Sequence, residues 1–135
     1  MRGTVRLQDL YERYHQRVQF MMIYIREAHP TDGWWMGGGI TGFALDKLVP
    51  QASTSIRDPR TLAERRAAAG QCETALSYGI RTWVDDVDDA VNKAYAAWPT
   101  RLYLVGVDGR VVYHGGLGPF GFTPKALGKA IEALG

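Results

Sequence analysis

Apolar and polar positions recur along this chain with two periods, and the periods lay out its elements in order. Residues 4–16 place Val5, Leu10, Tyr11 and Tyr14 among charged neighbours. That is the pattern of an amphipathic helix, with Thr4 as its N-cap. Residues 18–25 are a nearly unbroken apolar run, VQFMMIYI, which predicts a buried strand in a parallel sheet. A second helix starts after Asp58-Pro59, where Thr61 and Glu64 have the spacing of a capping box. The alanine-rich stretch to Gly79 brings Leu62, Ala69, Cys72 and Leu76 onto one face, leaving Arg60, Arg65 and Arg66 as a solvated face. A short strand is predicted over 80–84 and a helix over 89–97. Residues 101–107 and 110–114 predict a hairpin turned at Asp108-Gly109 by a two-residue type I′ loop. Thr123-Pro124 opens the last helix, 124–134, with proline at its first position.

The order helix, strand, helix, strand, helix, hairpin, helix predicts an α/β sandwich. A chain of 135 residues, 46% hydrophobic and 22% charged, is one ordinary globular domain by length and composition. Net charge +2 leaves no footprint for a polyanion, so no nucleic-acid partner is expected. No apolar run approaches the roughly 20 residues of a membrane span, and the N-terminus lacks the apolar segment of a signal peptide. The expected location is therefore cytoplasmic and off the membrane. One cysteine excludes an intrachain disulfide, and its place on an apolar helix face predicts a buried, inert thiol.

Candidate chemistry clusters after the 18–25 strand, at Arg26, Glu27, His29, Asp32, Trp34 and Trp35. In open α/β sheets, ligands gather beyond the carboxyl ends of the strands. The plain alternative is a solvated Glu27 and a His29 that closes a turn. Two other stretches imitate sites. Gly37-Gly38-Gly39 lacks the lysine and the strand–loop–helix setting of a phosphate loop. Asp85-Asp86-Val87-Asp88-Asp89 lacks the glycine and distal glutamate of a calcium loop; it reads as a strand end followed by acids at a helix N-terminus. His15 reads as a partner of the first helix's dipole. Ser53, Ser55 and Ser77 have no strand–turn–helix elbow around them, which argues against a hydrolase. No bound metal or cofactor is expected.

The segment Tyr24-Ile25-Arg26-Glu27-Ala28-His29-Pro30-Thr31-Asp32-Gly33-Trp34 resembles the signature of the iodothyronine deiodinases and their bacterial relatives. Leu10-Tyr11-Glu12-Arg13-Tyr14 and Arg17-Val18-Gln19-Phe20 are similar to the family's preceding helix and turn. Arg101-Leu102-Tyr103, Val111-Val112-Tyr113 and Gly115-Gly116-Leu117-Gly118-Pro119 are similar to its closing hairpin and loop. The resemblance implies a thioredoxin-like sandwich, a mixed sheet flanked by helices. It also implies reductive chemistry driven by a selenocysteine or cysteine, with an external thiol as reductant and a small molecule as substrate. His29 would protonate the substrate, Glu27 would hold one imidazole tautomer, and Tyr24 would add a hydroxyl to the relay. Trp34, Pro99 and Arg101 would line the substrate site, with Pro99 as the family's cis proline.

Three positions depart from the hormone-binding members: Ala52 where they carry histidine, Leu117 where they carry arginine, and Thr100 where they carry glutamate. The resemblance also implies a central strand and a nucleophile before the first helix, and residues 1–135 contain neither. Two explanations stand: a reading frame that starts upstream of Met1, or a scaffold without redox chemistry that serves binding or assembly. A sheet lacking its central strand also predicts self-association through the open edge.

Overall fold

The computed structural model describes residues 6–26, 58–76, 79–118 and 120–135. Their order is α1 (Leu7–Tyr14), β1 (Met22–Tyr24), α2 (Leu62–Leu76), β2 (Thr82–Val84), α3 (Ala90–Tyr95), β3 (Tyr103–Val105), β4 (Val111–His114) and α4 (Pro124–Ala133). The class is α/β, and the elements follow the order read from the pattern. Two pairs of strands form. β1 and β2 run parallel, with Met22 opposite Thr82, Ile23 opposite Trp83 and Tyr24 opposite Val84. β3 and β4 run antiparallel, with a register irregularity between Leu104 and Val105. Among the described residues no strand joins one pair to the other.

The main core lies where α1 and α4 meet the hairpin. Leu10 and Tyr14 of α1 pack with Leu102, Leu104, Leu127 and Ile131. This is the face that the helical spacing of α1 predicts. The Tyr14 hydroxyl donates to Glu132 at 2.8 Å, which pushes the phenol's pKa up. A Cβ on Gly128 would meet Leu10 Cδ2 at 3.0 Å, so a small residue lets α4 approach α1 closely. A second cluster lies between α2 and the parallel pair, where Ile25, Ala68, Ala69 and Ile80 are buried.

Several boundaries and surfaces differ from the sequence reading. α1 begins at Leu7 with Arg6 at its N-cap, and the Asp9 carboxylate accepts the Arg6 N–H at 2.7 Å; Thr4 lies outside the described residues. β1 is three residues rather than eight, because the chain turns at Arg17 and Val18 to leave α1. It is not buried throughout, since Ile23 is exposed. The capping box of α2 forms as its spacing predicts: Glu64 N–H donates to Thr61 Oγ1, and Glu64 Oε2 accepts the Thr61 N–H at 3.1 Å. Arg65 is buried, not solvated. Cys72 is half-buried rather than fully enclosed. The hairpin closes through a 2.8 Å bond from Gly106 N–H to Arg110 C=O, around a turn in which Gly109 N–H reaches Gly106 C=O. Gly109 has φ +80°, while Val107 and Asp108 have no positive φ. That is a three-residue loop with glycine in the left-handed position, rather than a type I′ turn.

Candidate active site

The parallel register fixes the carboxyl ends of β1 and β2 side by side. Tyr24 C=O, at the end of β1, accepts the Asp85 N–H at 2.8 Å. Tyr24 is half-buried at this edge. One residue beyond buried Ile25, Arg26 pairs with Asp58 at 2.8 Å. The hydrogen bond and charge of Asp58 raise the pKa of Arg26 further, so this cation holds the chain where it leaves β1. Glu27, His29 and Trp34 lie outside the described residues, as do the glycine triplet and Ala52.

The acidic stretch after β2 is a capping and ion-pair structure. Asp85 is buried, and its carboxylate accepts N–H groups from Asp86, Val91 and Asn92 at 2.9, 3.0 and 2.9 Å. It therefore satisfies the amides that open α3, as the helix reading of this stretch predicts. Arg65 reaches in from α2. Its guanidinium lies 2.9 Å from Asp89 Oδ1 and donates to the carbonyls of Asp85 and Asp86. Asp89 adopts a left-handed backbone with φ 59°, a conformation aspartate tolerates better than most residues. Among the described residues no three His, Cys, Asp or Glu side chains are placed to hold a metal ion.

The second loop cluster carries the Trp98–Pro99 bond, which is cis. The Trp98 N–H donates to Asn92 Oδ1 at 3.0 Å, and Gly118 N–H donates to Thr100 C=O at 2.9 Å. A Cβ at Gly118 would collide with the Thr100 side chain, so any larger residue here would force one of the two to shift. Arg101 is engaged with backbone: Nε donates to Gly115 C=O at 2.7 Å and Nη1 to Ala96 C=O at 3.3 Å. It ties the glycine-rich loop to the end of α3 and lies over the Tyr103 ring. Pro99 and Arg101 thus share one loop cluster, while Tyr24 sits at the end of β1.

Arg65 and Asn92 carry much of this geometry, and the sequence reading missed both. Arg65 could have been found: with Leu62, Ala69 and Cys72 it stands at helical spacing on the apolar stripe of α2, where a charged residue is unusual without a partner. Asn92 sits on a short polar helix and offers no such signal.

Comparison with known proteins shows what the chain is similar to. The family model described as iodothyronine deiodinase matches residues 3–134. Thyroxine 5-deiodinase from Sparus aurata is 36% identical over 93% of this chain and 41% of its own length. Its counterpart from Aquarana catesbeiana is 38% identical over 76% of the chain and 33% of its own length. That from Ovis aries is 32% identical over 93% and 38%. The chain thus spans well under half the length of these curated relatives, all three from vertebrates. With the match running over nearly every residue, from before α1 to the end of α4, this chain belongs to the iodothyronine deiodinase family.

Proposed function

We propose that the chain is the substrate-facing part of a reductive, thiol- or selenol-dependent deiodinase on a thioredoxin-like scaffold. The observation that carries the reading is the parallel β1–β2 pair, held end to end by the Tyr24–Asp85 bond. It starts the family's REAHPTDGW segment at the carboxyl end of a sheet strand, where α/β folds gather their chemistry. Among the described residues the two strand pairs are unjoined; with the hairpin followed by α4, this fits a thioredoxin-like sheet whose middle is supplied by a further strand.

In this reading a thiolate or selenolate takes the iodine of the substrate, and the ring carbon takes a proton from His29. Glu27 holds the imidazole in the donating tautomer. An external thiol then displaces iodide and forms a mixed disulfide or selenosulfide, and a second thiol reduces that bond, regenerating the thiolate or selenolate; oxidation of the two thiols to one disulfide supplies the two electrons. Cys72 is a poor source of the nucleophile, because it lies in the middle of α2 rather than at a strand end. The nucleophile would come from residues outside this chain. Tyr24 adds a hydroxyl at the strand end, and Trp34 and the Pro99 turn wall the substrate. Leu117 and Ala52 replace charged or polar groups of the hormone-binding members, so the proposed substrate is an iodinated phenol whose remote polar groups are gripped differently. The location proposed is cytoplasmic.

The test is iodide release from thyroxine and from a simple iodophenol, with dithiothreitol as reductant. It compares the 135-residue chain with a form extended through its upstream reading frame. Release from the extended form, reduced at least ~100-fold by His29→Gln, supports the reading. An extended form that carries a cysteine or selenocysteine and releases no iodide from either substrate favours a non-catalytic binding role.

A further inference from the structure

We infer that Arg65 is a positioning residue: through the Asp85–Asp89 loop and Asn92 it sets where the Trp98–Pro99–Thr100 turn stands relative to the carboxyl end of β1. The inference rests on the deiodinase reading only for the statement that this turn belongs to the site; the geometry stands by itself.

Arg65 is 3% exposed. A buried guanidinium costs several kcal/mol of lost hydration and contributes little net stability even when paired, so its presence calls for another explanation. Its bonds supply one. Nη2 faces Asp89, and Nη1 donates to the Asp85 and Asp86 carbonyls. One planar fork therefore holds three points of a five-residue loop, which a lysine's single ammonium cannot do in the same geometry. The same loop carries Asp85, whose two carboxylate oxygens hold the N–H groups of Val91 and Asn92. Asn92 in turn accepts the Trp98 N–H at 3.0 Å. The path runs from α2 to the cis-proline turn with hydrogen bonds or ion pairs at each link. On its near side the Asp85 N–H bonds Tyr24 C=O. One residue thus fixes both the strand end and, two links further, the turn.

The experiment is amide hydrogen exchange read by NMR on the folded chain, in the parent and in Arg65→Met, Arg65→Lys and Asn92→Leu. The reporter is the Trp98 amide. The control is the amide of Ile131, inside α4 and in the main core. The expected result is Trp98 exchange at least ~10-fold faster in Arg65→Met and in Asn92→Leu, with Ile131 within about twofold of the parent, as local opening requires. Arg65→Lys should fall between. If Arg65→Met does not fold, Arg65→Lys against Asn92→Leu carries the same comparison. Trp98 protection unchanged in the Arg65 variants overturns the inference, as does acceleration of Trp98 and Ile131 together, which is general destabilisation. Iodide release plays no part in this readout. Failure of the upstream-extended form to release iodide counts against the deiodinase reading and leaves the exchange result intact.

Discussion

Ile23 and Trp83 lie opposite each other on the parallel strands β1 and β2, and both are exposed, at 38% and 52%. Arg81 lies over the Trp83 ring, 5.4 Å from its centre. Parallel strands are ordinarily covered on both faces, and among the described residues α2 covers one face of this pair. Substitution should separate the two kinds of apolar position. Ile23→Thr is expected to change stability by no more than about 0.5 kcal/mol, whereas Leu104→Ala in the main core should cost about 2–5 kcal/mol. Urea unfolding measures both. A large loss in Ile23→Thr would mean that this face is covered after all.

Ala96 ends α3 in a left-handed conformation, φ 45° and ψ 51°. Glycine is the usual residue there, because a Cβ crowds the following carbonyl. Ala96→Gly should therefore stabilise the chain by about 1 kcal/mol, since the Arg101 bond to the Ala96 carbonyl needs no side chain. The check is the urea midpoint. An unchanged or lower midpoint would mean that the added freedom of the unfolded chain outweighs the relief.

Glu64 accepts the N–H groups of Arg60 and Thr61, and these bonds to its charged form hold its carboxyl below the ordinary value. A depressed carboxyl contributes stability that is present above its unfolded pKa and lost as pH falls through its folded pKa. The expected outcome is a parent that melts higher than Glu64→Gln at neutral pH, with the gap closing in acid below the usual carboxylate range. A gap that stays constant down to low pH would remove the charge from the capping argument.

The order of elements was legible because it rests on local signals. The α2 capping box, Pro124 at the start of α4 and the Leu10–Tyr14 stripe each act within a few residues. What tertiary contact decides was not legible. Arg65 reads as surface because its charge speaks louder than its spacing, and only the Asp85–Asp89 loop arriving from 20 residues away makes its burial tolerable. Ile23 reads as buried because its neighbours are apolar, but burial on both faces needs a second layer that sequence pattern does not supply. Tyr24 was legible as the end of a strand, where the structure has it. The hydrogen bonds of Arg101 to Gly115 and Ala96 were not legible, because they join segments that only the fold brings together.

The last prediction concerns the edges of the two strand pairs. Met22 N–H donates to Arg81 C=O, and Tyr24 C=O accepts from Asp85, so Met22 and Tyr24 turn their backbone groups toward β2. Strand alternation then points the N–H and C=O of Ile23 away from β2. On β3, Leu102 C=O and Gly106 N–H face β4, which leaves the groups of Tyr103 and Val105 pointing the other way. Among the described residues no strand takes either edge. Unpaired backbone groups withdrawn from water cost about 1–3 kcal/mol each, and an open edge is a template for another chain. The chain should therefore self-associate across the micromolar to millimolar range, with a mass that rises with concentration in sedimentation equilibrium. Ile23→Pro removes the one outward N–H of β1 while leaving the Met22–Arg81 and Tyr24–Asp85 bonds to β2, so it should weaken association and spare the fold. A parent that stays monomeric throughout would show that the edges are closed within the chain itself. Equal association by Ile23→Pro would move the contact away from β1.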